Sequence, residues 1–325
     1  MPDLRIEESD DGFVAVRERV GYATPDEPVS AGARCLVAWR GGEAVARLSY
    51  GVAEGLHGAP GRTGMIGHYE STDREAGPAL LREGVRRLAG TERVLGPIQG
   101  STWGRYRLVM RQPDEAPPFL SEPWNPAEYV DDFQAAGFAP EAWYESALVT
   151  GLDTPDPRAA GTEERLRERG VTVRPLRAER FDEELAALFE LTAAAFADNL
   201  YYSPTTEAEF RARYTPLRPL LDPELVRLAE DAEGRLLGYV FAFPDLLTME
   251  NGRPTRVVLK TLATAAGARG LGLGTYLGDE IRRLARRRGY RSVIHALMHR
   301  ENSSVGISRH TAGAFRRYAL FAWRP

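Results

Sequence analysis

Apolar residues recur along the chain with two periods, and the switches between them divide it into strands and helices. In the first half, residues 34–39 and 44–50 are rich in strand formers and are joined by Arg40-Gly41-Gly42-Glu43, which predicts a hairpin. A third strand is expected over 63–69. From Pro78 onward Leu81, Val85 and Leu88 share one face of a helix that Gly90 ends. Residues 93–97 read as a buried strand, 127–136 as a helix closed by Gly137, and 143–150 as a last strand.

The second half repeats this order with clearer signals. A strand over 171–176 precedes an amphipathic helix over 181–197, in which Leu185, Leu188, Phe189 and Leu191 crowd one side, and 206–214 continues as helix. Residues 225–230 and 236–243 flank Asp231-Ala232-Glu233-Gly234-Arg235 as a second hairpin. A strand over 257–263, a glycine-rich turn over 267–274, a helix ended by Gly289 and a strand over 292–297 follow. The common order implies an internal duplication. Its seam is Gly151-Leu152-Asp153-Thr154-Pro155-Asp156-Pro157-Arg158, where two prolines and a glycine separate strand-like from helix-like sequence.

Composition narrows the class. The 325 residues suit two domains, and 43% hydrophobic with 27% charged residues is an ordinary globular balance. No apolar run approaches the ~18–20 residues of a membrane span, and the N-terminus lacks the basic start and apolar stretch of a secretory signal. A soluble cytoplasmic protein without a membrane partner is expected. The net charge of −4 gives no reason to expect nucleic-acid binding. The single cysteine, Cys35, has no partner for a disulfide and no neighbouring Cys or His for a metal, so no metal is expected and Cys35 reads as a small strand residue.

The chemistry concentrates on Arg269-Gly270-Leu271-Gly272-Leu273-Gly274. A strand entering a glycine-rich turn that opens a helix presents unpaired N–H groups and the positive end of the helix dipole to one point, which suits a diphosphate. Gly272 and Gly274 allow close approach of the backbone, and Thr275 adds a hydroxyl. Glycines also cap helices and shape ordinary turns, so context must choose. A dinucleotide fold places its turn after the first strand of a parallel sheet, whereas this one follows an antiparallel hairpin and a further strand. A P-loop requires a lysine that this turn lacks.

With these residues in place, 171–324 resembles the GNAT N-acetyltransferase superfamily: Arg269, Gly272 and Gly274 occupy the fixed positions of its pyrophosphate loop. The resemblance implies acetyl-CoA as cosubstrate, bound by Arg269, Gly270, Leu271, Gly272, Leu273, Gly274 and Thr275. It also implies contacts from Leu262, Ala263 and Thr264 on a splayed strand and from Asn302 after the next strand, with Ser304 at a commonly small position. The first half resembles the same fold with a changed loop, 69–78, whose acidic residues repel a diphosphate. Residues 96–103, with Trp124-Asn125-Pro126 and Gly137-Phe138, are similar to the first unit of bacterial tandem GNAT-like proteins. The expected architecture is α+β with a mixed sheet in two tandem GNAT-like domains: 1–150 a degenerate repeat, 151–165 a linker and 166–325 the acetyl-CoA-binding catalytic domain.

The resemblance further implies direct attack on the thioester by a primary amine of a small molecule, amino acid or peptide. Many family members carry a tyrosine acid shortly after the arm asparagine, where this chain has Ser308, Arg309 and His310. His310 is therefore a candidate acid, beside the alternative of an exposed helix-end histidine. Lys260 and Thr261 stand where some members place a glutamate base, and no carboxylate is present there. Tyr201 and Tyr202 are candidates for the substrate pocket or for a core edge. Arg282, Arg283, Arg286, Arg287 and Arg288 read as a solvated face suited to a helix C-terminus. The missing tyrosine leaves open a protein that holds acyl-CoA without turnover. The intact loop argues against a transferase using charged transfer RNA, which needs no such loop.

Overall fold

A computed structural model describes residues 3–20, 27–110, 116–301, 306, 308 and 310–325. The first half comprises β1 (Leu4–Glu8), α1 (Asp10–Val20), β2 (Arg34–Arg40), β3 (Glu43–Ala53), β4 (Thr63–Ser71), α2 (Ala76–Arg87), β5 (Arg93–Gly96), the short β6 (Leu108–Val109), α3 (Glu128–Ala135) and β7 (Ala139–Val149). The second comprises α4 (Thr162–Glu168), β8 (Thr172–Pro175), α5 (Phe181–Phe196), α6 (Glu207–Tyr214), β9 (Val226–Glu230), β10 (Leu236–Pro244), the ribbon β11 (Met249–Glu250) with β12 (Arg253–Pro254), β13 (Arg256–Thr264), α7 (Leu273–Arg287), β14 (Ser292–His299) and β15 (Gly313–Trp323).

Local chemistry accounts for the element ends. Gly41 and Gly42 both take positive φ, as a two-residue hairpin turn between β2 and β3 requires. Thr206 and Glu209 form a reciprocal capping box at the start of α6. Arg286 and Arg287 lie in the last turn of α7, where cations suit the helix dipole. β1, α1 and β15 were not among the elements expected from the pattern, while α4 is the helix-like sequence after the seam. β15 escaped because Arg316 and Arg317 interrupt its apolar run, and the charge of Arg316 is answered by Glu122 from a distant part of the chain.

A single mixed sheet runs through both halves in the order β1-β2-β3-β4-β5-β15-β7-β14-β13-β10-β9-β8, with β6 beside β15. The two halves exchange their final strands. β15, the last of the chain, lies between β5 and β7, and β7 pairs with β14 of the second half. The expected division at 151–165 is thus a feature of the sequence order, while in space the sheet crosses it. The cores follow the exchange: Phe321 of β15 joins Leu80, Leu81 and Phe133 in the first half's core, and Val149 joins Leu277, Ile281 and Val293 in the second's. No helix among the described residues is long and apolar enough to cross a membrane.

β15 is also anchored by a buried polar group. Arg316 and Glu122 pair at 2.7 Å with both side chains removed from solvent, and Tyr318 donates its hydroxyl proton to the same carboxylate. The amide of Phe119 donates to Glu122 at 3.0 Å. Burial pushes the Glu122 carboxyl up against these partners, so the ion pair is held by geometry rather than by solvent. Replacing Arg316 by Met removes the counter-charge and should destabilise the protein by about 3–5 kcal/mol, measured by urea unfolding. A loss below about 1 kcal/mol, the range of exposed pairs, would show that the cluster does not anchor the strand.

Candidate active site

The turn before α7 is shaped by two residues in the left-handed region, Gly270 at φ 81° and Gly272 at φ 75°. Between and after them Leu271 and Leu273 pack toward the core, Leu273 fully, which turns the backbone outward at the glycines. Gly272 is exposed and serves as the N-cap residue, accepting from the amide of Tyr276 at 3.0 Å. Among the described residues, the amides of Gly272, Leu273, Gly274 and Thr275 have no acceptor. Four free donors and the positive end of a 15-residue helix therefore converge on one place.

The strands flanking that place separate. β13 and β14 run parallel from Arg256 opposite Ser292 to Leu259 opposite His295, and their pairing stops there. Beyond it β13 follows β10, and β14 follows β7. Each strand is bulged where they part. Lys260 is the extra residue between Thr261 opposite Phe241 and Leu259 opposite Ala242. Ala296 and Leu297 together oppose Ser146 of β7. Leu297 is left-handed at φ 60°, and this costly conformation is held on both sides of its peptide. Its amide donates to Ser146 Oγ at 3.0 Å and its carbonyl accepts from Arg107 Nη1 at 3.2 Å.

The gap opens into a cavity of about 750 Å³ lined by both halves. Lys260 faces it. The side chain is half-buried, has no hydrogen-bond or ionic partner among the described residues, and its amine is pushed down to about 8 by burial, with the nearby Arg107 guanidinium adding to the effect. Arg107 is itself buried between the rings of Tyr106 and Tyr144, at 3.8 and 4.1 Å from their centroids. Burial raises the Tyr144 phenol, so it keeps its proton. His295, at the root of the gap, pairs through Nδ1 with Ser308 Oγ at 2.7 Å, and burial pushes it down to about 4, leaving it neutral near pH 7.

The residues singled out from sequence divide. Leu262 lines the cavity, while Ala263 is buried beside it and Thr264 ends the strand. Arg269 is exposed on the turn. Tyr202 lines the cavity next to Trp103, with ring centroids 6.0 Å apart. Tyr201 is buried and donates its hydroxyl to Glu141 Oε1 at 2.5 Å, a structural tie. His310 is exposed and is not among the residues that line the cavity. Asn302 and Ser304 lie outside the described residues. The arginines of α7 are largely engaged in the fold: Arg282 is buried on Asp279 and the Leu152 carbonyl, Arg283 holds Glu280, and Arg288 holds Asp222. Sequence reading identified no role for Lys260, Arg107 or His295. The lysine, on a strand whose residues Val257, Val258, Leu259, Leu262 and Ala263 are apolar, was the available signal.

The corresponding place in the first half is closed. Asp73 Oδ1 accepts from the amides of Glu75 and Ala76, both at 2.9 Å, where α2 begins, and Arg40 Nε clamps Asp73 Oδ2 at 2.6 Å. Burial raises the Asp73 carboxyl, but these donors outweigh it and hold the group below its usual range. The gap beyond β4 and β5 is filled as well. The amide of Ile98 bonds to the Ile66 carbonyl at 2.7 Å, and a Cβ on Gly67 would meet the Ile98 carbonyl at 2.6 Å. A carboxylate of the chain itself occupies the helix start that a diphosphate would need.

Residues 185–306 match the model of the Acetyltransferase (GNAT) family. The chain is 28% identical over 219 residues to a protein named bacterial ceramide synthase from Caulobacter vibrioides, a match covering 65% of this chain and 56% of that protein's length. Among solved structures, a GCN5-related N-acetyltransferase from Sphaerobacter thermophilus superposes with a TM-score of 0.54 at 18% identity, covering 100% of this chain and 98% of the other. A tandem GNAT protein from the clavulanic acid biosynthesis pathway superposes with a TM-score of 0.52 at 15% identity, covering 99% and 98%. At these identities the structures share the fold.

The neutral, buried state of His295 makes stability depend on pH. Its folded value of about 4 lies below the ordinary 6.5, so the unfolded chain binds the extra proton first as pH falls. The contribution is fully present above 6.5 and is lost toward pH 4, by about 3 kcal/mol at most. A His295→Gln variant should lose that part of the slope in denaturant unfolding followed between those pH values. An unchanged slope would mean that the imidazole is not held neutral.

Proposed function

We propose that the second half of the chain, where residues 185–306 match the GNAT family model, transfers an acyl group from a coenzyme A thioester to a primary amine. One observation carries this reading: the four free amides at the start of α7 stand beside the gap between β13 and β14, which opens at Lys260 into the cavity. The diphosphate of the thioester would take the amides of Gly272 to Thr275. The edge of β13 beyond Leu259, unpaired with β14, supplies main-chain groups for the thioester carbonyl. Acetyl-CoA is the simplest donor of this class. The relative named ceramide synthase supports an amine as acceptor, because a ceramide is an N-acylated amine.

The acceptor reaches the site as an ammonium and must lose a proton before it can attack. Lys260 is the group proposed to take it, since an amine held near 8 is partly neutral around physiological pH and protonates readily. The freed lone pair then forms the C–N bond as the C–S bond breaks. The second proton of the amine passes to the departing thiolate, which yields an amide and a thiol. His310, exposed and away from the cavity lining, has no part in this scheme.

Two measurements test the reading. Gly272→Asp should weaken acetyl-CoA binding at least tenfold in calorimetry, because it sets a carboxylate and a strained φ among the donors; unchanged affinity would remove the coenzyme from this turn. Thiol release from acetyl-CoA across a panel of amines should have a kcat/KM that rises with pH through about 8, the limb on which Lys260 becomes neutral. Lys260→Met should abolish that limb and lower kcat about a hundredfold. Binding without thiol release at any pH would favour a protein that holds acyl-CoA without turnover.

A further inference from the structure

The cavity is larger and more apolar than acetyl transfer to a small polar amine requires. Its 750 Å³ falls within the ~300–1,000 Å³ typical of pockets that enclose a whole organic ligand. Away from Lys260 the wall is built by Phe196, Tyr214, Leu217, Leu221, Phe241 and Phe243, drawn from α5, α6 and the turn after it, and β10. Apolar side chains dominate this wall, with Asn199, Arg213 and the Tyr214 hydroxyl as its polar members, and burying polar groups against the apolar part would cost their hydration. The lining also reaches exposed apolar residues. Leu220 is 69% exposed and Leu246 51% exposed, and both line the cavity. Leu247 and Met249 extend the exposed apolar surface beside them. Two large, exposed leucines in the lining leave apolar area in water that a suitable ligand would cover.

We infer that this cavity holds a long aliphatic chain, with its reactive end at Lys260 and its methyl end between Leu220 and Leu246. The inference rests on the proposed acyl transfer and specifies its substrate class. The chain belongs either to the acyl group of the thioester or to the tail of the amine, since both meet at the same carbon when the amide forms. In both cases the cavity recognises methylene groups, through contact and exclusion of water, and Lys260 marks where polarity begins.

Two series separate the sources. In the first, acetyl-, butanoyl-, octanoyl-, dodecanoyl- and palmitoyl-CoA are compared with one short amine; in the second, butylamine, octylamine and dodecylamine are compared with acetyl-CoA. The series whose chain fills the cavity should show kcat/KM rising about threefold to fourfold per methylene until the wall is covered. The double variant Leu220→Glu with Leu246→Glu changes exposed positions only, so folding should be retained. It should cut the ratio of long-chain to short-chain kcat/KM at least tenfold.

A binding measurement needs no turnover. Trp103 is the one of the five tryptophans that lines the cavity, so a dodecylamine or dodecanoyl-CoA brominated along its chain should quench its fluorescence. The quenching should vanish in Trp103→Phe. Quenching without thiol release from any donor would overturn the proposed reaction and leave the chain-binding cavity standing. Rates that stay flat or fall with chain length in both series, with no quenching of Trp103, would overturn the inference.

Discussion

The exchange of final strands is the constraint on which the rest of this protein depends. β15 must enter the first half's sheet between β5 and β7, and β7 is thereby committed to β14 of the second half. The consequence reaches the site through one continuous set of bonds. Arg316 and Tyr318 of β15 hold Glu122, Tyr318 contacts Ser146 of β7 at 3.1 Å, and Ser146 accepts the amide of Leu297. Leu297 is the left-handed residue at which β14 turns away from β13. The gap is therefore maintained by a strand from the first half and braced by the strand that closes the chain.

This gives the first half a structural role although its own helix start and strand gap are closed. The first half's helix start is occupied by Asp73 and its strand gap by Ile98, so two features of the repeat have been sealed internally. Its contribution passes instead to the other half's cavity, through Arg107 on the Leu297 carbonyl, Tyr144 beside His299, and Trp103 against Tyr202. Arg107 has a further effect. Its guanidinium, stacked between two rings, is close enough to Lys260 to help depress that amine, so the first half also tunes a charge in the second. A domain-by-domain account would miss this, because the perturbing and perturbed groups lie 153 positions apart in the sequence.

The cavity itself reflects a division of labour. At one end are groups whose charge or hydrogen bonding is controlled by burial: Lys260 near 8, His295 near 4, and Tyr144 held as a phenol. Elsewhere the lining is largely apolar and reaches exposed leucines. Burial depresses the lysine, with Arg107 adding to the effect, in a space whose lining is largely apolar, and such surroundings favour neutral groups.

Much of the second half was legible in the chain itself. Short-range rules suffice for the β9–β10 hairpin, the apolar face of α7 and the glycine pattern before it, because spacing and φ requirements act over a few residues. The acidic replacement of the first half's loop was legible for the same reason, since Asp73 acts on amides two and three residues away. What only the tertiary structure decided is non-local. A strand bearing Arg316 looks unfit for burial until Glu122 is brought to it, Lys260 looks like a surface cation until a bulge aims it into an apolar space, and Tyr201 and Tyr202 look equivalent until one is tied to Glu141. Each of those outcomes depends on the burial and partners of a polar group, and these are set by chain segments that local sequence does not specify.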